Sequence, residues 1–294
     1  RYLPMIELKN PKIAIPVVLF AGILWSFGAP VVRYMEDPHL FTWQYIFGRG
    51  VTIFILLNLY LYFEEGINFY KNYFKIGLSG IIGGSGLGIA MITFIYSITN
   101  TTAAVTLLCL AAMPFFTALL AFLFLREKVS LNVWISIVIA SFGLAIMAID
   151  TNEKNSLIGF VFGITSSLGF SVFSVTLRWR KETPKFTTIA FAGFFCIFFS
   201  VIVIIANDLI FFSSSYNSSM FSLHGTLVCL GLIFYSIGSK AIPATELTLL
   251  SLTEVIGGIF WVWVPILGIN EVPSTNTIIG GFFLFISIVY YSLI

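Results

Sequence analysis

The stretch PFFTALLAFLFLREKVS, residues 114–130, decides the fold of this chain. An uncharged apolar segment runs directly into a turn that holds an acidic residue, Glu127, followed by a valine and a serine. The same order recurs in residues 254–274, where the turn holds Glu271. Each stretch is followed by one further apolar segment that contains glycine. The pattern indicates that the chain consists of two related halves.

Apolar segments of this kind fill most of the sequence. A helix needs about 20 predominantly apolar residues to cross a bilayer. The segments are too long for membrane barrel strands and lack their alternating pattern. We therefore predict an all-α membrane protein with ten transmembrane helices. The predicted helices cover residues 13–32, 41–63, 74–98, 101–125, 131–149, 157–179, 187–206, 221–239, 244–267 and 277–294.

The composition excludes several classes of protein. Only 10% of the 294 residues are charged and 59% are hydrophobic, whereas charged residues make up about 25% of an ordinary soluble domain. A soluble enzyme or a disordered chain is excluded, and a net charge of +2 is too small for a nucleic-acid partner. The three cysteines lie in apolar segments without disulfide or metal-ligand spacing. We expect no metal and no cofactor.

The basic residues indicate how the chain is oriented. If the N-terminus is inside, twelve of them fall on the inner side: Arg1, Lys9, Lys12, Lys71, Lys75, Arg126, Lys128, Arg178, Arg180, Lys181, Lys185 and Lys240. Two, Arg33 and Lys154, fall on the outer side. Cytoplasmic loops carry the excess of Lys and Arg. This distribution predicts a multi-pass protein of the inner (plasma) membrane with both termini in the cytoplasm.

Two halves of five helices each must lie in the membrane with opposite orientations, because five is odd. Glu127 then falls inside and Glu271 outside. Inverted repeats are typical of secondary transporters, whose solute site lies near the midplane between the repeats. We predict a cytoplasmic segment, 1–12, and two inverted five-helix repeats, 13–149 and 150–294, around a central cavity.

The chain resembles the EamA-type ten-helix transporters of the drug/metabolite transporter superfamily. The resemblance covers nearly the whole chain. It rests on Gly22–Ser26 with Pro30, Arg49, Tyr96–Ser97, Ala103–Ala104, Leu110, Pro114–Phe116, Leu125, Glu127, Leu250–Glu254, Trp261–Trp263, Glu271–Ser274 and Gly280–Gly281. The chain departs from the family in having Val255 where a proline often follows the glutamate. The resemblance implies a cavity lined by helices one, three, four, six, eight and nine, and transport by alternating access.

Glu254 is the sharpest candidate for a functional residue. It lies about ten residues into the ninth predicted helix, near the membrane midplane. An ionised carboxylate facing lipid there costs about 2.5 kcal/mol or more, so Glu254 must face the protein interior. We favour binding of a cationic or amino group of the solute, or of a coupling proton. The alternative is a role in helix packing alone.

Arg49 is the second charge within a predicted span. It needs a carbonyl cluster or a carboxylate as partner, and it would either contact a solute carboxylate or act as a structural clamp. We favour the clamp, because the resemblance places helix two outside the cavity lining. A pair between Arg49 and Glu254 is left open.

Three other charges lie at predicted helix ends. Glu246 follows Pro243 and is expected to complement the dipole of the first turn of helix nine. Lys240 is expected to mark the inner side of the membrane. Arg33 is either a gate residue or a charge that extends toward the interface, and we favour the second interpretation.

Aromatic and hydroxyl side chains complete the predicted substrate site. Trp25 lies midway along helix one, and Tyr96 and Tyr235 lie deeper than an interfacial belt. With Phe170 and Ser26 they are expected to form a wall that stacks on a planar group or holds a cation.

The glycines of the third predicted helix and the two histidines are not part of the predicted substrate site. Gly80, Gly84 and Gly88 form a small-residue face that is expected to pack against a neighbouring helix. His39 and His224 are both predicted at the outer surface near loops.

These observations predict a secondary active transporter for an amino acid or a related solute with an amino or cationic group. Coupling to protons and coupling by exchange are both left open. The alternative function is a passive facilitator or channel for small solutes. We expect no catalytic residues, and as partners only the solute and the bilayer, with the protein a monomer or a weak homodimer.

Overall fold

The computed structural model describes residues 8, 10–148, 157–180, 182–272 and 275–292. Within these ranges every regular element is helical and no strand occurs, which confirms the all-helical class. The helices are α1 (Pro11–Ser26), α2 (Gly28–Tyr34), α3 (Thr42–Glu65), α4 (Lys71–Phe74), α5 (Gly77–Asn100), α6 (Ala103–Leu110), α7 (Met113–Leu120), α8 (Leu131–Ala148), α9 (Leu157–Trp179), α10 (Lys185–Ala206), α11 (Ser215–Gly238), α12 (Ala244–Ser251), α13 (Thr253–Trp263) and α14 (Thr275–Ser292).

Eight helical segments in the described ranges are long and apolar enough to cross a membrane. They are Pro11–Tyr34, Thr42–Lys75, Gly77–Asn100, Ala103–Leu125, Ile158–Trp179, Lys185–Ala206, Ser215–Gly238 and Ala244–Trp263. The predicted spans at 131–149 and 277–294 coincide with α8 and α14, whose apolar parts, Leu131–Gly143 and Ile278–Tyr291, are shorter. The chain is thus a multi-pass membrane protein, and the count of ten transmembrane helices stays a prediction.

Three helices predicted as continuous are interrupted in the structure. The first breaks at Phe27, between α1 and α2, and the fourth breaks between α6 and α7. Pro30 and Pro114 follow these two breaks by one turn, and a proline cannot donate the hydrogen bond that would continue the helix. The ninth helix breaks at Leu252, between α12 and α13, without a nearby proline or glycine.

Small residues hold the centre of the bundle together. The face of α5 formed by Gly80, Gly84 and Gly88 packs against α10, as predicted, with Phe191 and Phe195 covering two of the glycines. A second face of α5 meets α9 backbone to backbone. The approach is so close that a Cβ atom on Gly169 would lie 2.6 Å from the carbonyl oxygen of Gly86. Such contacts let backbones approach to distances that larger side chains forbid.

We predict that Gly169→Ala strongly lowers the melting temperature of the detergent-purified protein, because a new Cβ would collide with backbone atoms, which cannot rotate away. Gly281→Ala is the control, since a Cβ atom at this α14 position would have no neighbour within 4 Å. There the gain in helix propensity of about 0.5–1 kcal/mol should leave stability equal or higher. Equal melting temperatures for the two variants would contradict the backbone contact between α5 and α9.

Candidate functional site

A small cavity lies inside the bundle, between helices from both halves of the chain. Its volume is about 60 Å³. The lining residues are Trp25, Arg49, Leu87, Ala90, Met91, Phe94, Leu110, Met113, Ser166, Phe170, His224, Val228, Leu232 and Glu254. We call this space the central cavity. Its polar groups are few and of opposite charge, so they can orient a small polar solute.

Glu254 reaches the central cavity because α13 begins one residue before it. The break at Leu252 places Glu254 in the first turn of α13. The first N–H groups of a helix have no partner within it and favour negative charge. The local fold therefore supplies a favourable position for the carboxylate.

The carboxylate of Glu254 is unpaired within the described residues. It has no hydrogen bond there and no Lys or Arg nitrogen within 4.0 Å. Its side chain keeps some accessible surface, although it lies in the interior, because it lines the cavity. A carboxylate in such a position can accept hydrogen bonds from a bound ligand.

Arg49, on α3, lies on the wall of the same cavity. It is only 2% exposed, and its Nη2 donates to the carbonyl oxygen of Met91 at 2.6 Å. Its guanidinium carbon lies 5.9 Å from the ring centre of Phe94, while its Nε has no hydrogen-bond partner among the described residues. The bond to Met91 fits the favoured clamp role. However, the expectation that this helix lies outside the cavity lining is wrong.

The expectation that His224 lies at the outer surface near a loop is wrong. It is 2% exposed and lines the central cavity. Its Nδ1 is hydrogen bonded to the hydroxyl of Tyr45 on α3. The misplacement arose because α11 begins at Ser215, six residues before the predicted start, so His224 lies more than two turns inside. The signal for this start is Ser214, whose hydroxyl caps the helix by accepting from the N–H of Asn217.

Aromatic residues form one side of the site. Trp25 and Phe170 both line the central cavity and meet edge to face, with ring centres 5.5 Å apart. Tyr235 lies behind them, fully buried, with its ring centre 5.5 Å from that of Trp25. Its hydroxyl is bonded to the hydroxyl of Ser174 at 2.7 Å. The structure thus brings three predicted aromatic residues together, two of them on the cavity surface.

The other two predicted residues do not line the central cavity. Ser26 donates to the carbonyl oxygen of Ile23 and accepts from Nε1 of Trp261 at 2.9 Å, so it helps to hold α1 against α13. Tyr96 packs against Trp43 and Phe162, with ring centres 5.3 and 5.0 Å away. Tyr96 lies near the C-terminal end of α5, beyond the part of that helix that lines the cavity.

A larger cavity, of about 300 Å³, lies at the end of α3, the start of α10 and the end of α11. Its wall combines Lys75, Lys185 and Lys240 with Glu65 and Glu182. This mixture of charges is typical of a hydrated surface, and none of the predicted site residues lies there. The central cavity is therefore the stronger candidate site.

Comparisons with known proteins match part of the chain to a family and most of it to a known fold. Residues 12–149 match the EamA-like transporter family, which confirms the resemblance over that part of the chain. Two proteins described as uncharacterized transporters, from Helicobacter pylori strains J99 and 26695, are 26% and 25% identical over 171 residues. These alignments cover 57% of this chain and 56% of each relative, so the chain spans just over half the length of the curated relatives it matches.

One solved crystal structure, described without a function, has the same fold. It aligns with a TM-score of 0.69 over 96% of each chain, at 16% sequence identity. The similarity extends the common architecture to the second half of the sequence.

We predict that Arg49 and Glu254 interact energetically across the cavity. In a double-mutant cycle with Arg49→Met and Glu254→Gln, the two effects on the free energy of unfolding should fail to add by at least about 0.5 kcal/mol, as is usual for coupled charges. The control cycle combines Arg49→Met with Glu127→Gln, because Glu127 is paired with another arginine. Additivity in both cycles would show that the two cavity charges do not interact.

Proposed function

We propose that the protein is a secondary transporter, because residues 12–149 match the EamA-like transporter family. It moves a small organic solute with an amino group across the inner membrane, through the central cavity. The observation that carries this proposal is the carboxylate of Glu254 on the cavity wall, which has no hydrogen bond and no ion pair within the described residues. An interior charge in this position is costly, and a cationic group of a solute would stabilise it.

The solute class follows from the two charges on the cavity wall. Glu254 suits an ammonium group, and the guanidinium group of Arg49 on the same wall suits a carboxylate. Trp25 and Phe170 add apolar surface and ring faces that favour a cation. An amino acid or a related zwitterion presents both charged groups, so it fits this wall better than a simple amine.

The helix contacts support two inverted repeats of five helices. The packing of α5 on α9 has its counterpart in α11 on α1, and that of α10 on α5 has its counterpart in α3 on α11. In the pairs α3 with α10 and α8 with α14, each helix packs against its own equivalent in the other half. These main helix pairings are thus kept when each helix is exchanged for its equivalent in the other half. This symmetry favours ten spans, 13–149 and 150–294 being the repeats.

The size of the central cavity favours alternating access as the mechanism we propose. A space of about 60 Å³ is smaller than the pockets of about 300–1,000 Å³ that hold drug-sized ligands. A solute of amino-acid size needs the surrounding helices to separate. The inner-membrane location, with both termini in the cytoplasm, rests on the distribution of basic residues, and a monomer or weak homodimer is sufficient for this mechanism.

The main test is uptake of labelled amino acids by proteoliposomes that contain Glu254→Gln. We expect at least a tenfold loss of uptake with the variant still folded, because the neutral amide cannot neutralise an ammonium group. Glu246→Gln is the matched control on the adjoining α12, where Glu246 lies in the first turn and accepts a hydrogen bond from Tyr291. Normal uptake by Glu254→Gln with an unchanged pH profile would refute the assignment.

The second candidate function, a passive facilitator or channel, is separated by counterflow. Proteoliposomes preloaded with unlabelled solute should take up labelled solute faster than empty ones, because a carrier returns more quickly when it is loaded. A channel has no such return step and would show no acceleration. Equal rates in the two preparations would therefore favour the channel.

A further inference from the structure

Two ion pairs lie at opposite ends of the bundle, and each joins the two halves of the chain. Nε of Arg33, on α2, is 2.9 Å from Oε2 of Glu271 in the loop before α14. Nε of Arg178, near the end of α9, is 2.7 Å from Oε1 of Glu127 in the loop before α8. We call the first the outer clamp and the second the inner clamp, after the predicted orientation. Within the described residues these are the two Lys/Arg–carboxylate pairs.

The arginines of the two clamps make equivalent further contacts. Nη1 of Arg33 donates to the carbonyl oxygen of Ile98, at the end of α5. Nη1 of Arg178 donates to the carbonyl oxygens of Ser239 and Ile242, just after α11. The helix α5 is the third predicted span of the first half, and α11 is the third predicted span of the second half. Each arginine therefore fastens three elements at one mouth of the bundle.

The glutamates of the two clamps each follow a residue with left-handed backbone angles. These residues are Arg126 and Asn270, with φ of 55° and 58°, a conformation that is uncommon for residues other than glycine. The N–H of Glu127 donates to the carbonyl oxygen of Ala121, six residues earlier, and that of Glu271 donates to the carbonyl oxygen of Val262, nine residues earlier. Both backbones thus turn back toward the preceding helix just before the glutamate, through turns of different length.

Each clamp also connects helices that line the central cavity. The outer clamp joins α2, which continues α1 with its cavity residue Trp25, to the loop that follows α13 with Glu254. The inner clamp joins α9, which carries Phe170, to the loop after the helix that begins as α7 with Met113. With both clamps closed, the cavity between them has only about 60 Å³. The four charged side chains are 23–30% exposed, so water can reach and replace these bonds.

We propose that the two clamps are the outer and inner gates of the transport cycle, opening in alternation; this rests on the transporter function proposed above. Opening the outer clamp frees α2 from α13 and connects the cavity with the outside. Opening the inner clamp frees α9 from the helix that begins as α7 and connects the cavity with the inside. The inner clamp has two carbonyl contacts of 2.9 and 3.1 Å, whereas the outer clamp has one of 3.5 Å. The outer clamp is therefore the one that opens more readily.

The test measures access to the cavity from each face and needs no solute. Ser166 lines the cavity, so Ser166→Cys, in a background with Cys109, Cys196 and Cys229 replaced, reports labelling by a membrane-impermeant thiol reagent. Glu271→Gln should raise the rate of labelling from the outer face about two- to fivefold, since partly exposed ion pairs contribute modestly. Glu127→Gln should raise the rate from the inner face. Asp208→Asn and Glu182→Gln, which alter exposed acids at the outer and inner ends, should change neither rate.

A charge swap keeps the test decisive if a single variant is unstable. Arg33→Glu with Glu271→Arg restores an ion pair and should return outer labelling toward the starting rate. Labelling that rises equally from both faces in each single variant, or does not change in either, would overturn the gate assignment. The result is independent of Glu254→Gln uptake, so a wrong solute class and wrong gates give different patterns.

Discussion

A charge in the interior of a bilayer has no water to stabilise it, and this constraint organises the structure. Arg49 meets it by donating to the carbonyl oxygen of Met91 and by facing the ring of Phe94. Glu254 meets it at the start of a half-helix that exists only because the ninth helix is interrupted. The two charges share a cavity because neither could face lipid. The site is therefore a consequence of the solvent in which the chain folds.

The sequence predicts the helical framework well, because the signal is strong and local. Long apolar segments separated by charged or proline-containing turns locate the eight spans that the structure describes. Glu254 could be singled out for the same reason, since a lone carboxylate within an apolar segment must face protein. The close contact of Gly80, Gly84 and Gly88 with α10 also follows from spacing alone.

The rest of the site depends on contacts between distant parts of the chain. The break at Leu252 has no adjacent proline or glycine from which it could be predicted. This break places Glu254 in the first turn of α13. His224 enters the cavity because a serine cap starts α11 earlier than the apolar segment suggests. Tyr96 lies two residues after the cavity residue Phe94 on the same helix, yet it faces Trp43 and Phe162. No local pattern distinguishes these orientations.

The backbone contact between Gly86 and Gly169 has a mechanical consequence. It joins α5, from the first half, to α9, from the second, so closely that no side chain fits between them. A displacement of one helix is therefore passed to the other by backbone atoms, without intervening side chains that could change rotamer. Residues 12–149, which match the family, would leave this glycine face of α5 uncovered without α9.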